Sequence, residues 1–90
     1  MKNIRIGYGY DMHKLSVGSY ITLGGIKIDS NYSIVAHSDG DILLHTLSDA
    51  IYGSLAKGDI GTHFPSNNKN QNISSLKIIQ HACNLLKESN

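Results

Sequence analysis

Aspartate and histidine residues are concentrated in one part of this 90-residue sequence. All six aspartates and four of the five histidines lie between Asp11 and His63, whereas the only glutamate is Glu88. Glutamate is the better helix former, so it normally predominates over aspartate on helix surfaces. Short acidic and imidazole side chains in this concentration predict ligands that are directed at a common target.

Asp11 and His13 form the first candidate pair, just after a predicted strand. In an extended chain, residues i and i+2 project to the same side, so the pair can contact one cation. His45 is the candidate third ligand, because it lies in a predicted helix outside the apolar stripe. One Asp and two His suit zinc, with a fourth position open to substrate. For the pair alone, two ordinary surface residues after a strand are the simpler interpretation.

A second group surrounds His45. Asp41, His45 and Asp49 are spaced by four, which places them on one face of a helix. Carboxylates beside a ligating imidazole predict hydrogen bonds that orient the ring, although a solvated helix face explains the same pattern. Further along, Gly58–Gly61 precedes Phe64 and Pro65. This segment is either a loop whose amides approach a phosphate or a plain helix stop and turn.

The elements that must position these residues are short. Alternation over residues 3–8 predicts a half-buried strand, in which Gly7 and Gly9 mark a bend or a close approach. Apolar runs at 20–23 and 26–28 flank Gly24-Gly25, which predicts a two-residue hairpin or one strand with a bulge.

Two helices follow the strands. The first begins near Gly40, is capped by Ser38 or Asp39, and ends at Gly58. Residues 59–72 form a polar loop, and the second helix covers residues 75–87. The apolar stripes predicted for the two helices comprise Leu43, Leu44, Leu47, Ala50, Ile51 and Leu55, and then Leu76, Ile79, Cys83 and Leu86. This order predicts an α/β or α+β fold, a mixed β-sheet packed on helices, in one domain over residues 1–90.

Composition excludes several function classes. The net charge of +1 comes without a basic cluster, which argues against a nucleic-acid groove or a membrane-surface helix. No apolar run is long enough for a signal peptide or a membrane span. Cys83 is the only cysteine, so no disulfide forms within the chain. We therefore expect a cytoplasmic protein, although an organelle form without its transit peptide is also compatible.

Several motifs recur together in the order and spacing of one known family. They are residues 6–13 (IGYGYDMH), 23–25 (LGG), 36–41 (AHSDGD) with His45 and Asp49, and 58–61 (GDIG) with Phe64-Pro65. This ordered set resembles the 2-C-methyl-D-erythritol 2,4-cyclodiphosphate synthases of the non-mevalonate (MEP) pathway of isoprenoid and terpenoid biosynthesis.

The resemblance implies a homotrimeric lyase that acts on 4-diphosphocytidyl-2-C-methyl-D-erythritol 2-phosphate, a cytidine diphosphate substrate, and releases CMP. It implies Zn²⁺ on Asp11, His13 and His45, and Mg²⁺ or Mn²⁺ with the substrate diphosphate. It gives His37 the catalytic role of steadying the transition state. The residues that it places at the substrate are Asp11, Met12, His13, His37, Ser38, Asp59, Ile60, Gly61, Phe64, Pro65, Ser66, Asn67 and Asn68.

The sequence departs from the family pattern in two respects. Ser66, Asn67 and Asn68 stand where the family usually has acidic residues after Phe-Pro. The family pattern also continues beyond Asn90 with the cytidine pocket, so we expect no cyclase activity from these 90 residues alone. An inactive metal-binding or oligomerising remnant is the main alternative. An unrelated metal-dependent phosphohydrolase ranks below it, since nothing would then explain the order of the motifs.

Overall fold

The computed structural model describes residues 4–36, 38–66, 70 and 72–89. Within these residues, four short strands are followed by three helices. The elements are β1 (Lys14–Val17), β2 (Tyr20–Leu23), β3 (Ile26–Asp29), β4 (Tyr32–Val35), α1 (Ile42–Ser54), α2 (Ile60–His63) and α3 (Ser75–Glu88). Small sheets beside helices make this an α+β fold, and the predicted fold class is confirmed.

The strands form two antiparallel pairs. β1 pairs with β4, and β2 pairs with β3 through a turn at Gly24 and Gly25. Both glycines have positive φ, 62° and 82°, which is the backbone conformation that a tight two-residue hairpin turn requires. Of the two alternatives predicted for this segment, the hairpin is therefore the correct one.

The segment that precedes β1 is extended but forms no β-ladder within the described residues. The strand predicted over residues 3–8 is therefore wrong for residues 4–8, because no strand in the described part of the chain pairs with them. The segment lies against α1 instead. A Cβ atom added at Gly7 would lie 1.8 Å from the Ala50 carbonyl oxygen, and one at Gly9 would lie 1.9 Å from that of Thr46. The predicted close approach is confirmed, and its partner is helix backbone.

α1 and α3 pack together along a face that the apolar stripes did not predict. On α1 the buried residues are His45, Ser48 and Tyr52, and on α3 they are Ser75, Ile78 and Ala82. Of the predicted stripe residues, Leu55 is buried, whereas Leu43, Leu47, Leu76 and Leu86 are exposed. Small side chains such as serine and alanine allow two helix backbones to approach closely. Every buried side-chain nitrogen or oxygen atom among the described residues has a hydrogen-bond partner.

Asp41, rather than Ser38 or Asp39, is the N-cap of α1. Its fully buried carboxylate accepts a hydrogen bond from the Leu44 amide at 3.1 Å. The same carboxylate accepts the amides of Gly24 at 2.9 Å and Gly25 at 2.7 Å. One side chain therefore joins the β2–β3 turn to the start of the helix that carries His45.

α1 also ends earlier than predicted. It stops at Ser54 and is capped by Leu55, and the chain then turns at Ala56, whose φ is 53°. Gly58, the predicted stop, lies four residues beyond the helix. The polar loop that was predicted to follow contains the short helix α2, which Asp59 caps through the Thr62 amide at 2.9 Å.

Aromatic contacts connect α2 with the α1–α3 interface. The buried Tyr52 hydroxyl lies 2.8 Å from His81 Nδ1, and the Tyr52 ring stacks on His63 at 4.5 Å. Burial, together with the charge of Asp49, raises the pKa of Tyr52 to about 12. Both histidines thus pack against Tyr52. Among the described residues, no helix has the length and apolar character needed to cross a membrane.

Candidate metal centre

Two elements bring the three predicted ligands together. Asp11 and His13 flank Met12 in extended backbone just before β1, and each of their side chains is 20% exposed. Met12 points away and is 74% exposed, as the two-residue alternation of an extended chain requires. His45 lies in the second turn of α1 and is 7% exposed. The extended segment before β1 and helix α1 therefore direct three potential ligands to one point.

The three candidate donor atoms form a small triangle. Asp11 Oδ2 lies 3.1 Å from His13 Nε2 and 3.2 Å from His45 Nδ1. The two histidine nitrogens are 3.5 Å apart. Zinc bonds of about 2.1 Å in a tetrahedron place neighbouring donor atoms about 3.4 Å apart. The triangle therefore has the size of one face of a tetrahedral zinc site, and among the described residues this is the group of acidic, His and Cys side chains that could hold an ion.

The opposite edge of the His45 ring is also hydrogen-bonded. His45 Nε2 lies 2.7 Å from Ser75 Oγ and 3.1 Å from Ser38 Oγ. The Ser75 hydroxyl contacts the carboxylate of Asp39, which also accepts the Ser75 amide at 2.9 Å. Ser75 was not predicted from the sequence, because its contact with His45 joins two different helices and leaves no spacing signal.

Asp39 is held in the ionised form by the same contacts. Partial burial acts to raise the pKa of Asp39, but hydrogen bonds from the Ser75 hydroxyl and amide and from the Asp41 amide outweigh it. The pKa of the carboxyl is consequently below its ordinary value. Asp39 therefore presents a negative charge at the start of α3.

Asp41 and Asp49 were both predicted to form hydrogen bonds that orient the His45 ring. In the structure the two carboxylates have different partners. The Asp41 carboxylate is occupied by the Gly24, Gly25 and Leu44 amides, so it contacts the hairpin turn rather than the imidazole. The expectation for Asp41 is corrected accordingly. Asp49 accepts the Ile60 amide at 2.8 Å and faces the same cleft as the triangle.

A cleft of about 290 Å³ opens beside the three donor atoms. Eight of the residues that were predicted at the substrate line it, namely Asp11, His13, Ser38, Asp59, Ile60, Gly61, Phe64 and Ser66. Met12 and Pro65 are not among its lining residues. His37, Asn67 and Asn68 lie outside the described residues, so their predicted roles stay predictions.

Further lining residues were not found from the sequence. They are Asn70, Ile73 and Ile78, which lie at or just before α3. Their apolar or amide side chains carry no distinctive spacing, and only the packing of α3 on α1 brings them to the cleft. Ile78 lies on a different face of α3 from the predicted apolar stripe, which begins at the exposed Leu76.

The cleft is electrostatically negative. Asp11, Asp49 and Asp59 line it, whereas no lysine or arginine is present among its described lining residues. Burial raises the pKa of Asp49, and the neighbouring charges of Asp59 and Asp11 raise it further against the Ile60 hydrogen bond. An anionic ligand would therefore need cations in this cleft to offset the carboxylates.

Comparison with known proteins decides the family. A profile described as the YgbB family matches residues 4–90. The chain belongs to the YgbB family. It is 48% identical over 86 residues to the 2-C-methyl-D-erythritol 2,4-cyclodiphosphate synthase of Pseudomonas paraeruginosa, a match that covers 94% of this chain and 55% of that protein. The resemblance inferred from the motifs is thus confirmed.

Solved structures agree with this assignment to the YgbB family. A structure of 2C-methyl-D-erythritol-2,4-cyclodiphosphate synthase superposes with a TM-score of 0.86 at 38% identity, covering 94% of this chain and 57% of the other. The IspF of Plasmodium falciparum in complex with CDP superposes with a TM-score of 0.76 at 43% identity, covering 96% and 52%. This YgbB-family chain spans about half the length of the relatives that it matches.

Proposed function

We propose that this chain forms the metal-binding wall of a 2-C-methyl-D-erythritol 2,4-cyclodiphosphate synthase. The observation that carries the proposal is the convergence of Asp11, His13 and His45 at the mouth of a cleft in a member of this family. Related proteins carry that name, and the solved structure of one relative is a CDP complex. A cytidine diphosphate substrate is therefore the ligand class that we assign to the cleft.

The proposed reaction needs no group to be oxidised or reduced. An oxygen of the 2-phosphate forms a bond to the β-phosphorus, and the bond between that phosphorus and the bridging oxygen breaks, so that CMP leaves with the oxygen. A divalent cation held by Asp11, His13 and His45 would offset phosphate charge. Asp59–Gly61 and Phe64 border the cleft and are suited to hold the methylerythritol portion in line for this attack.

Three parts of the proposal rest on the resemblance alone, namely a second ion (Mg²⁺ or Mn²⁺) at the diphosphate, catalysis by His37 and the homotrimer. The identity of the metal as zinc rests on the resemblance and on the donor set, and the cytoplasmic location rests on the composition of the sequence. The negative cleft supports the need for cations, because three carboxylates and a diphosphate repel one another without them.

The test uses two proteins. One is the 90-residue chain, and the other is a chimera that adds the C-terminal part of the Pseudomonas paraeruginosa synthase. We expect the chimera, loaded with zinc and supplied with Mg²⁺ or Mn²⁺, to release CMP from the substrate, and the 90-residue chain to bind zinc weakly without turnover. The same chimera carrying His45→Ala is the matched control and should release no CMP.

Each other result identifies a different function. Release of inorganic phosphate in place of CMP would indicate a phosphohydrolase. A folded, zinc-loaded chimera that releases neither product would indicate a metal-binding module. Sustained CMP release by the 90-residue chain itself would contradict the expectation that further residues complete the site.

A further inference from the structure

The Nε2 edge of the His45 ring contacts Ser75, and Ser75 in turn contacts Asp39. Ser75, the fully buried first residue of α3, places its hydroxyl oxygen 2.7 Å from His45 Nε2. The same hydroxyl contacts Oδ1 of Asp39, whose Oδ2 accepts the Ser75 amide at 2.9 Å. The three residues therefore form a chain from carboxylate to hydroxyl to imidazole.

The carboxylate sets the direction of the hydrogen bonds in this chain. An ionised carboxylate only accepts, so the hydroxyl proton of Ser75 is donated to Asp39. The lone pairs of the Ser75 oxygen then face His45, so the 2.7 Å contact is a hydrogen bond when Nε2 carries the proton and donates it to Ser75, in competition with the Asp11 carboxylate, which lies 3.2 Å from Nδ1 and also accepts. A neutral imidazole has one N–H, so with the proton on Nε2 the Nδ1 lone pair is directed at Asp11 and His13.

We propose that Asp39 and Ser75 are positioning residues that hold His45 in the Nε2–H tautomer and thereby prepare Nδ1 to bind the metal. This inference rests on the proposed metal site for its consequence, but the tautomer exists independently of the metal. Ser75 opens α3 and Asp39 precedes α1, so the pair also fastens α3 beside the metal centre. Hydrogen-bond partners behind a ligating histidine commonly change metal affinity by about 10- to 100-fold.

The first measurement is zinc affinity, by competition with a chelator, with Zn²⁺ alone as the probe. Ser75→Ala removes the acceptor of Nε2–H and should weaken zinc binding by about tenfold, because Ser38 at 3.1 Å remains as a weaker acceptor. Asp39→Asn keeps the shape of the side chain but can donate to Ser75, which reverses the chain. We expect a similar loss of affinity from it.

The second measurement is the tautomer itself, from nitrogen-15 NMR of the zinc-free protein at about pH 8.5, well above the ordinary imidazole pKa of about 6.5. His45 of the unaltered protein should carry its proton on Nε2, and Asp39→Asn should shift the proton towards Nδ1. A residue that merely supported the fold would not change this signature.

Ser74→Ala is the matched control. Ser74 caps α3 by accepting the Leu76 amide at 3.2 Å, so its loss loosens the same helix end without a contact to His45. Zinc affinity and tautomer should stay unchanged in this variant.

The possible failures can be separated. If the unaltered protein binds no zinc, the proposed metal function is lost, and the tautomer measurement still decides the present inference. If zinc binds equally well to all variants, or if His45 carries its proton on Nδ1 before substitution, the positioning role of Asp39 and Ser75 is overturned. Should Ser75→Ala fail to fold, Asp39→Asn provides both measurements.

Discussion

His45 is nearly buried, yet both nitrogens of its ring face polar atoms. Nδ1 faces Asp11 and His13, and Nε2 faces two serine hydroxyls. Burial of an imidazole among polar groups is costly unless each group has a partner. A metal ion on the Nδ1 side would be bound by three donor atoms at once, one from each of Asp11, His13 and His45. Such an ion would explain why two histidines and an aspartate lie together here.

Replacing His45 by alanine should therefore abolish stoichiometric zinc binding, because two ligands remain where the site offers three. Alanine is a strong helix former, so α1 should keep its helical circular dichroism. The check is the zinc content, by elemental analysis, of the purified chimera that adds the C-terminal part of the Pseudomonas paraeruginosa synthase. His63→Ala is the matched control, since His63 contacts the Lys57 carbonyl away from the site and its loss should leave zinc content unchanged. Full zinc content in the His45 variant would mean that another residue is the third ligand.

The second prediction at the level of single residues concerns Asp49. Its pKa is raised from 3.8 in the folded protein, so the folded state keeps this proton at pH values where the unfolded chain has released it. The resulting stability is complete below pH 3.8 and is lost as the pH rises through the folded pKa. Asparagine does not titrate, so the Asp49→Asn variant does not lose stability in this way as the pH rises. Its side-chain oxygen can still accept a hydrogen bond from the Ile60 amide. We expect the variant to gain stability relative to the unaltered protein between pH 4 and 7, by less than about 1 kcal/mol because solvent screens the site.

Urea unfolding at several pH values, with a chelator present, measures this difference. The exposed strand residue Asp29 provides the control Asp29→Asn, for which the difference should not follow the same course with pH. A stability difference for Asp49→Asn that is constant over this pH range would contradict the assigned cause.

At the level of elements, the extended segment before β1 depends on the absence of side chains where it crosses α1. A Cβ atom at Gly9 would meet the Thr46 carbonyl oxygen at 1.9 Å, a distance that the helix backbone cannot relieve without displacement. Asp11 follows two residues later, so the displacement would reach the metal ligands. We expect Gly9→Ala to weaken zinc binding by about tenfold or more.

The control for this prediction adds the same methyl group to α1. At Gly53 the nearest atom to an added Cβ is 3.7 Å away, which is ordinary contact. Gly53→Ala should leave zinc affinity unchanged and stabilise the helix by about 0.5–1 kcal/mol, the usual difference between glycine and alanine. Chelator competition and thermal unfolding test both variants, and equal zinc affinity in the two would show that the Gly9 contact does not position Asp11.

The sequence allowed the prediction of features with a local cause. The two-residue spacing of Asp11 and His13 and the Gly24-Gly25 pair each determine a geometry within a few residues. The buried faces of α1 and α3 were not predictable in this way, because burial depends on which partner covers a helix. Leu43 and Leu47 read as core from their spacing, whereas the covered face carries His45 and Ser48. Ser75 was not predicted for the same reason, because its contact with His45 depends on how α3 packs on α1.

At the level of the whole molecule, the described chain is elongated, with extents of 49 × 26 × 17 Å. Large apolar side chains remain exposed along its N-terminal segment, where Ile4, Ile6 and Tyr8 are 92%, 89% and 81% exposed. They alternate along an extended backbone and so project to one side. Contiguous exposed apolar residues commonly mark a surface that another protein covers.

We therefore expect the chain to self-associate, in line with the homotrimer that the family resemblance implies. Sedimentation velocity should show species heavier than the monomer, in a proportion that grows with concentration. Ile4→Thr combined with Ile6→Thr should shift the distribution towards the monomer. Ile26→Thr, at another exposed isoleucine (67%), should not. Monomer alone throughout the accessible concentration range would contradict the expectation.

The bonds from Gly24 and Gly25 to Asp41 have a consequence for how the molecule opens. Amides at the tip of a hairpin ordinarily exchange their hydrogens with solvent quickly, because the tip frays. Here the acceptor is a fully buried carboxylate that also caps α1, so the two glycine amides become exposed only when the start of α1 separates from the turn. Their exchange rates should therefore follow those of the Leu44 amide, and the hairpin tip reports the local unfolding of the helix that carries His45.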